Sequence, residues 1–256
     1  MNRLSAETTT GLISGSILEP NVLAASTPSV AAAVSTDSGE LCRHSLFAPL
    51  HYERNYGYPL IVWLHGPGND ERQLRRIMPQ LSMRNYVAVA PRGTLALDAD
   101  ADAAGFRWQQ HGDHVYLAEK RVFDCVDLAR RKFHVKPDRV FLAGAGCGGT
   151  MALRIALANP NAFAGALSLG GGLPRGMAPL ARVNEARGKP LLLMSGITSE
   201  RYSQTHVNED LRLLHSAGIT VTLRLYPHGD ELSPMMLGDV DRWLMQQICP
   251  ETSAAD

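Results

Sequence analysis

Arg139-Val-Phe-Leu-Ala-Gly-Ala-Gly-Cys-Gly-Gly-Thr-Met-Ala-Leu153 is the stretch that decides how this chain folds. Val140 to Ala143 is a short apolar run of the kind found in a strand buried on both faces. It meets a glycine cluster, Gly144, Gly146, Gly148 and Gly149, and then a helix-forming run from Met151 to Ala158. Strand, tight turn and helix follow with no room for a loop, so the helix must crowd the strand that precedes it.

The same alternation extends on both sides. Upstream, Leu41 to Leu50 reads as a strand, Tyr52 to Tyr58 as a polar turn and Leu60 to Leu64 as a second strand. That strand delivers His65-Gly66-Pro67-Gly68-Asn69-Asp70-Glu71 into a helix expected from Glu71 to Met83, with Leu74, Ile77, Met78 and Leu81 on one face. Tyr86 to Ala90 is the next strand. Residues 94–112 form a connection too long to be idle, of the kind that lies over a binding face. Val115, Ala118, Val122, Cys125, Val126, Ala129 and Phe133 then mark a helix with one buried stripe, after which Pro137-Asp138 hands over to the glycine-cluster strand.

Downstream, strands are expected at Phe163 to Leu169, Pro190 to Met194 and Thr220 to Tyr226, with a helix from Thr205 to Ala217. The last helix opens with Ser233 as N-cap and Pro234 at the first helical position, where a missing N–H is not missed. Strands alternating with helices predict an α/β fold, a doubly wound and mostly parallel sheet in a three-layer α/β/α arrangement. Residues 1–38, rich in Ser, Thr and Ala, read as an arm that is disordered or loosely docked; residues 39–250 form the domain and residues 251–256 a tail.

Composition narrows the functional classes. Lys plus Arg and Asp plus Glu both number 25, so no global charge draws the chain to nucleic acid or an anionic membrane. No apolar run reaches the roughly 20 residues of a membrane span. Cys42, Cys125, Cys147 and Cys249 are far apart and form no CxxC pair, which fits free thiols and a cytoplasmic setting. No motif calls for a cofactor or a metal, and oligomeric state leaves no mark in the sequence.

Three passages resemble the phospholipase/carboxylesterase family of α/β-hydrolases, which includes acyl-protein thioesterases. Leu64-His-Gly-Pro-Gly-Asn-Asp-Glu71 is similar to its LHGxGD oxyanion loop, Phe141 to Leu153 to its GFSQGGxMAL nucleophile elbow, and Tyr226-Pro-His-Gly-Asp-Glu231 to its YxxGHE segment. The resemblance covers about Leu41 to Met245 and implies an α/β-hydrolase fold with an acyl or other small-molecule ligand. It also implies a triad, and here the sequence departs from the pattern. The nucleophile position is Gly146, the acid position Ser199 and the histidine position Asp230. Glycine supplies no nucleophile, serine cannot stabilise an imidazolium, and an ordinary carboxylate is a poor base for a hydroxyl. The oxyanion donor after His65-Gly66 falls on Pro67, which has no N–H, leaving only the N–H of Cys147.

The resulting expectation is a hydrolase-like protein that has lost ester hydrolysis and keeps a binding role, with His65, Gly66, Pro67, Gly68, Cys147 and His228 about its groove. The alternative is a carboxylic ester or thioester hydrolase using Cys147 with His228 and Glu200, since a thiolate needs only a nearby base and a modest pKa drop. Residue 147 lies past the tip of the turn, however, and a small buried thiol beside the helix is the plainer account. His65 is set against a brace for its own turn, and Asn69, Asp70 and Glu71 against caps for the following helix. A third reading, carboxylate or metal chemistry at Asp230 and Glu231 with His65 and His228, matches no ligand spacing. His111 and His114 read as surface histidines.

Overall fold

A computed structural model of the chain describes residues 42–97 and 105–249, and all of them fall within one compact unit. The N-terminal arm and the C-terminal tail expected from the sequence lie outside the described residues.

The glycine-cluster strand, β6 (Val135–Ala145), runs through the middle of a seven-stranded sheet. To one side lie β2 (Tyr58–Leu64), β3 (Val87–Pro91) and, at the edge, β1 (His44–Phe47). To the other lie β7 (Gly165–Leu169), β8 (Leu191–Gly196) and β9 (Val221–Tyr226). Only β1 is antiparallel to its neighbour; the remaining pairings are parallel.

Residues of β2 alternate between the two faces, as strand geometry demands. Leu60, Val62 and Leu64 join one core with α2 (Asp113–Lys132), α3 (Cys147–Ala158) and Leu214 of α5 (Gln204–Ser216). Ile61 and Trp63 join the other with α1 (Leu74–Leu81) and α6 (Pro234–Ile248). This is the expected doubly wound, three-layer α/β-hydrolase architecture. Chain direction across the sheet reverses between β2 and β6, and in such sheets the crevice beyond the strand ends at that reversal is where ligands bind. Both the His65 loop and the turn at Gly146 emerge there.

Several boundaries differ from the sequence reading. The helix after His65 begins with a 3₁₀ turn, Glu71–Gln73, and α1 stops at Leu81, short of Met83. The strand expected to span Leu41 to Leu50 is confined to β1. The glycine-cluster strand starts before Pro137, because its register against β2 shifts between Tyr58 and Leu60 and leaves the proline in an irregularity with no ladder bond to supply. The connection over the strand ends carries a small hairpin, β4 (Leu95–Leu97) with β5 (Gly105–Arg107), and a one-turn helix, α4 (Val183–Ala186), precedes β8. The expected cap on α6 is present: Ser233 accepts from Met236 N–H and Pro234 follows it. The cysteines contain no disulfide among the described residues, yet Cys42 and Cys125 are not isolated: Cys42 packs against the core that holds Cys125, and the neighbouring thiol and burial push Cys125 up.

Candidate functional site

The turn between β6 and α3 is a single residue, Gly146, at φ +50° and ψ −122°. That conformation costs a residue with a side chain on the order of 1–3 kcal/mol and is freely open to glycine. Its neighbours explain the rest of the cluster. A Cβ on Gly144 would stand 2.6 Å from the Gly148 carbonyl, and one on Gly148 would stand 2.3 Å from the Leu64 carbonyl oxygen. Helix α3 therefore sits against the strands at a separation only glycine permits.

Facing Gly146 is Pro67. A Cβ on Gly146 would lie 3.1 Å from Pro67 Cδ, so ring carbons occupy the space into which a side chain at the apex would grow. The loop is held in that position from several sides. Gly66 N–H and Trp63 Nε1–H both donate to Gln73 Oε1, at 3.1 and 2.9 Å. Gly68 N–H donates to the Phe106 carbonyl and Phe106 N–H returns a bond to that of Asn69, so β5 clamps the loop. Arg92 holds Glu71 through two 2.7 Å bonds while its guanidinium lies 4.6 Å from the Phe106 ring centre.

His65 is fully buried and both ring nitrogens are engaged. Nδ1–H donates to the Gly66 carbonyl at 2.8 Å, and Nε2 accepts from Gly93 N–H at 2.9 Å, which fixes a neutral ring. Burial lowers its pKa, in keeping with a strut and not a base. Trp108 Nε1–H completes the brace with a bond to the His65 carbonyl.

Ser199 and Asp230, drawn from the loops after β8 and β9, meet. Ser199 Oγ donates to Asp230 Oδ1 and accepts from Tyr202 N–H. Asp230 and Gly146 both line a cleft of about 350 Å³ at the strand ends, together with Gly66 and Pro67. Ser199, Asp230 and Gly146, the positions to which the sequence resemblance points, thus come together as a hydroxyl, a carboxylate and a bare backbone turn. Gly68 lines a second, adjoining cavity.

Cys147, His228 and Glu200 lie apart from this arrangement. Cys147 is absent from the cleft lining; it packs against the core on the α2–α3 face, its carbonyl accepts from Gln110 Nε2, and burial pushes its thiol up. His228 stacks on Tyr226 with ring centres 5.6 Å apart, and its Nε2 pairs with Ser233 Oγ at 3.1 Å. Glu200 is exposed, as is Glu231, whose carboxylate lies 3.6 Å from His228 Nδ1. No group of three or more His, Cys, Asp and Glu side chains is placed to hold a metal ion among the described residues, and no helix among them is long and apolar enough to cross a membrane.

Two cleft residues escaped the sequence reading. Arg76 falls on the polar side of α1, where periodicity assigns it to solvent, and Arg201 falls in a loop with no period at all. Both line the cleft, Arg76 bonded to Asn69 Oδ1 at 2.7 Å and Arg201 Nε 3.9 Å from Asp230 Oδ2. The available signal was position: Arg201 lies in the loop that leaves the C-terminal end of β8, and Arg76 in the first turn of the helix that follows β2.

The chain is matched over residues 38–220 by the family model described as "Putative esterase". It is 31% identical over 157 residues to "Putative esterase NocK" of Nocardia uniformis subsp. tsuyamanensis, a match covering 55% of this chain and 40% of that protein. The chain thus spans about two fifths of that curated relative's length. Among solved structures, Arabidopsis thaliana SOBER1 superposes with a TM-score of 0.63 at 21% identity, covering 75% of this chain and all of that one. The Bacillus cereus carboxylesterase gives 0.63 at 19% identity over 82% of this chain and 96% of its own. At these identities the structures speak for the fold.

Proposed function

The chain belongs to the Esterase family of α/β-hydrolases, of the phospholipase/carboxylesterase kind, and we propose that within it this protein is a non-hydrolytic binder that holds a small ligand in the cleft above Gly146. The observation that carries the reading is the apex itself. A residue with no side chain sits at φ +50° and a proline ring fills the space above it. An attacking oxygen has neither an atom to belong to nor room to stand.

The remaining positions support the same reading. Asp230 accepts from Ser199, so neither group is arranged to take a proton from a nucleophile. Pro67 brings no N–H to an oxyanion, and losing one such donor costs roughly 2.7–4 kcal/mol of transition-state stabilisation. Loss of a whole triad costs on the order of 10⁶ in kcat. A cytoplasmic setting belongs to this reading as well, supported by the wide spacing of the four cysteines in the sequence.

The test is hydrolysis of p-nitrophenyl acetate and butyrate by the purified full chain beside a Cys147→Ala variant. The expected rate is that of the buffer blank for both proteins. Turnover abolished by Cys147→Ala would establish thiol chemistry instead, and turnover that survives the substitution but is lost on chelation would establish a metal.

A further inference from the structure

We infer that the cleft takes a small anion, a carboxylate or phosphate on a short apolar body, with Arg76 and Arg201 meeting its charge. The inference rests on the reading of the cleft as a binding site and names what it binds.

Arg76 comes from α1 and Arg201 from the loop after β8, so two guanidinium groups enter one cleft from separate segments. Neither is neutralised by a close ion pair. Arg76 spends one Nη2 bond on the neutral Asn69 side chain and has no carboxylate partner among the described residues. Arg201 stands 3.9 Å from Asp230, the outer limit of an ion pair, and Asp230 already accepts from Ser199. The cleft therefore carries two cations against one carboxylate that is partly occupied.

The surroundings reinforce this sign. An adjoining cavity of about 430 Å³ shares Asn69 and Arg76 and adds Arg72 and Arg75. Its one carboxylate, Asp70, is taken by Arg72 at 2.5 Å. A guanidinium fork matches the paired oxygens of a carboxylate or phosphate, and an excess of positive charge at a concave site concentrates anions there. Ile77, Leu169 and Leu232 also line the cleft and offer apolar contact to a few methylenes. A neutral ester brings no negative charge to the two guanidinium groups, so charge selects the free acid over the ester.

Binding of butyrate, monobutyl phosphate and the neutral isostere butyramide to the full chain tests this by NMR titration at low salt. At least one anion is expected to bind about tenfold or more tightly than butyramide, the difference expected of a charge-assisted hydrogen bond. Arg76→Gln and Arg201→Gln should each weaken the anion several-fold without moving butyramide, and Asp230→Asn should tighten it. Whether butyrate or monobutyl phosphate responds identifies the headgroup. Equal binding of anion and amide, or anion binding indifferent to both arginine substitutions, overturns the inference and leaves the cleft a binding site. Failure of all three compounds to bind overturns both.

Discussion

Placing a methyl group on the apex is the most direct probe of the site. In Gly146→Ala the new Cβ carries a backbone at φ +50° and ψ −122°, costing on the order of 1–3 kcal/mol, and meets Pro67 Cδ at 3.1 Å. Relieving so close a contact by shifting the ring adds about 1 kcal/mol, and the smaller freedom of alanine in the unfolded chain returns roughly 0.4–1 kcal/mol. The net loss is about 1–3.6 kcal/mol, which for a domain of this size lowers Tm by about 2–14 °C. Thermal unfolding followed by circular dichroism reads the shift. Repeating it in a Pro67→Ala background separates the two causes, since the steric part should vanish while the backbone part stays, a coupling of about 1 kcal/mol. Gly146→Ala with an unchanged or raised Tm would refute the account of the apex, and a coupling of zero would refute the contact with Pro67.

Three further outcomes follow from the surrounding groups. Because burial lowers the His65 pKa, the unfolded chain binds a proton there before the folded chain does; stability contributed by the neutral ring is complete above the ordinary value of 6.5 and falls as pH drops below it, so urea midpoints should decline between pH 7.5 and 5.5 and decline less in His65→Gln. Asp210, 1% exposed, accepts from Leu173 N–H, Tyr202 O–H and Arg175, and Asp210→Ala should cost about 2–5 kcal/mol in urea unfolding by leaving two buried donors unpaired; a loss under about 0.5 kcal/mol would contradict that network. With a thiol pushed up by burial, Cys147 should label with dithionitrobenzoate at pH 7.5 far more slowly than exposed Cys249, and equal rates would place its sulfur at the solvent.

The sheet was legible because its strands are apolar runs bounded by glycine and proline, and because residues such as Leu60 to Leu64 can alternate only between two covered faces. The apex was legible for a steric reason: Gly144 and Gly148 have to be glycine for α3 to sit where it does, so their spacing announces the turn. Other features had no local signature. The hairpin of β4 and β5 is three residues a side, too short to show a period, and Pro137 argues against a strand until the register shift beside it is seen. Cys42 meets the core that holds Cys125 by tertiary packing alone. Arg76 obeys the helical pattern that predicts exposure, and only the placement of α1 beside the strand ends turns its exposed face toward a cleft.

The contact between Pro67 and Gly146 makes the two positions answerable to each other. A serine at 146 alone must push aside the ring above it, and a leucine at 67 alone regains an amide hydrogen with no oxygen beneath it to serve. Under the proposed non-hydrolytic reading each single step toward an ester-cleaving apex is either obstructed or idle, so the crowding between these two positions works as a latch that only a paired change would lift.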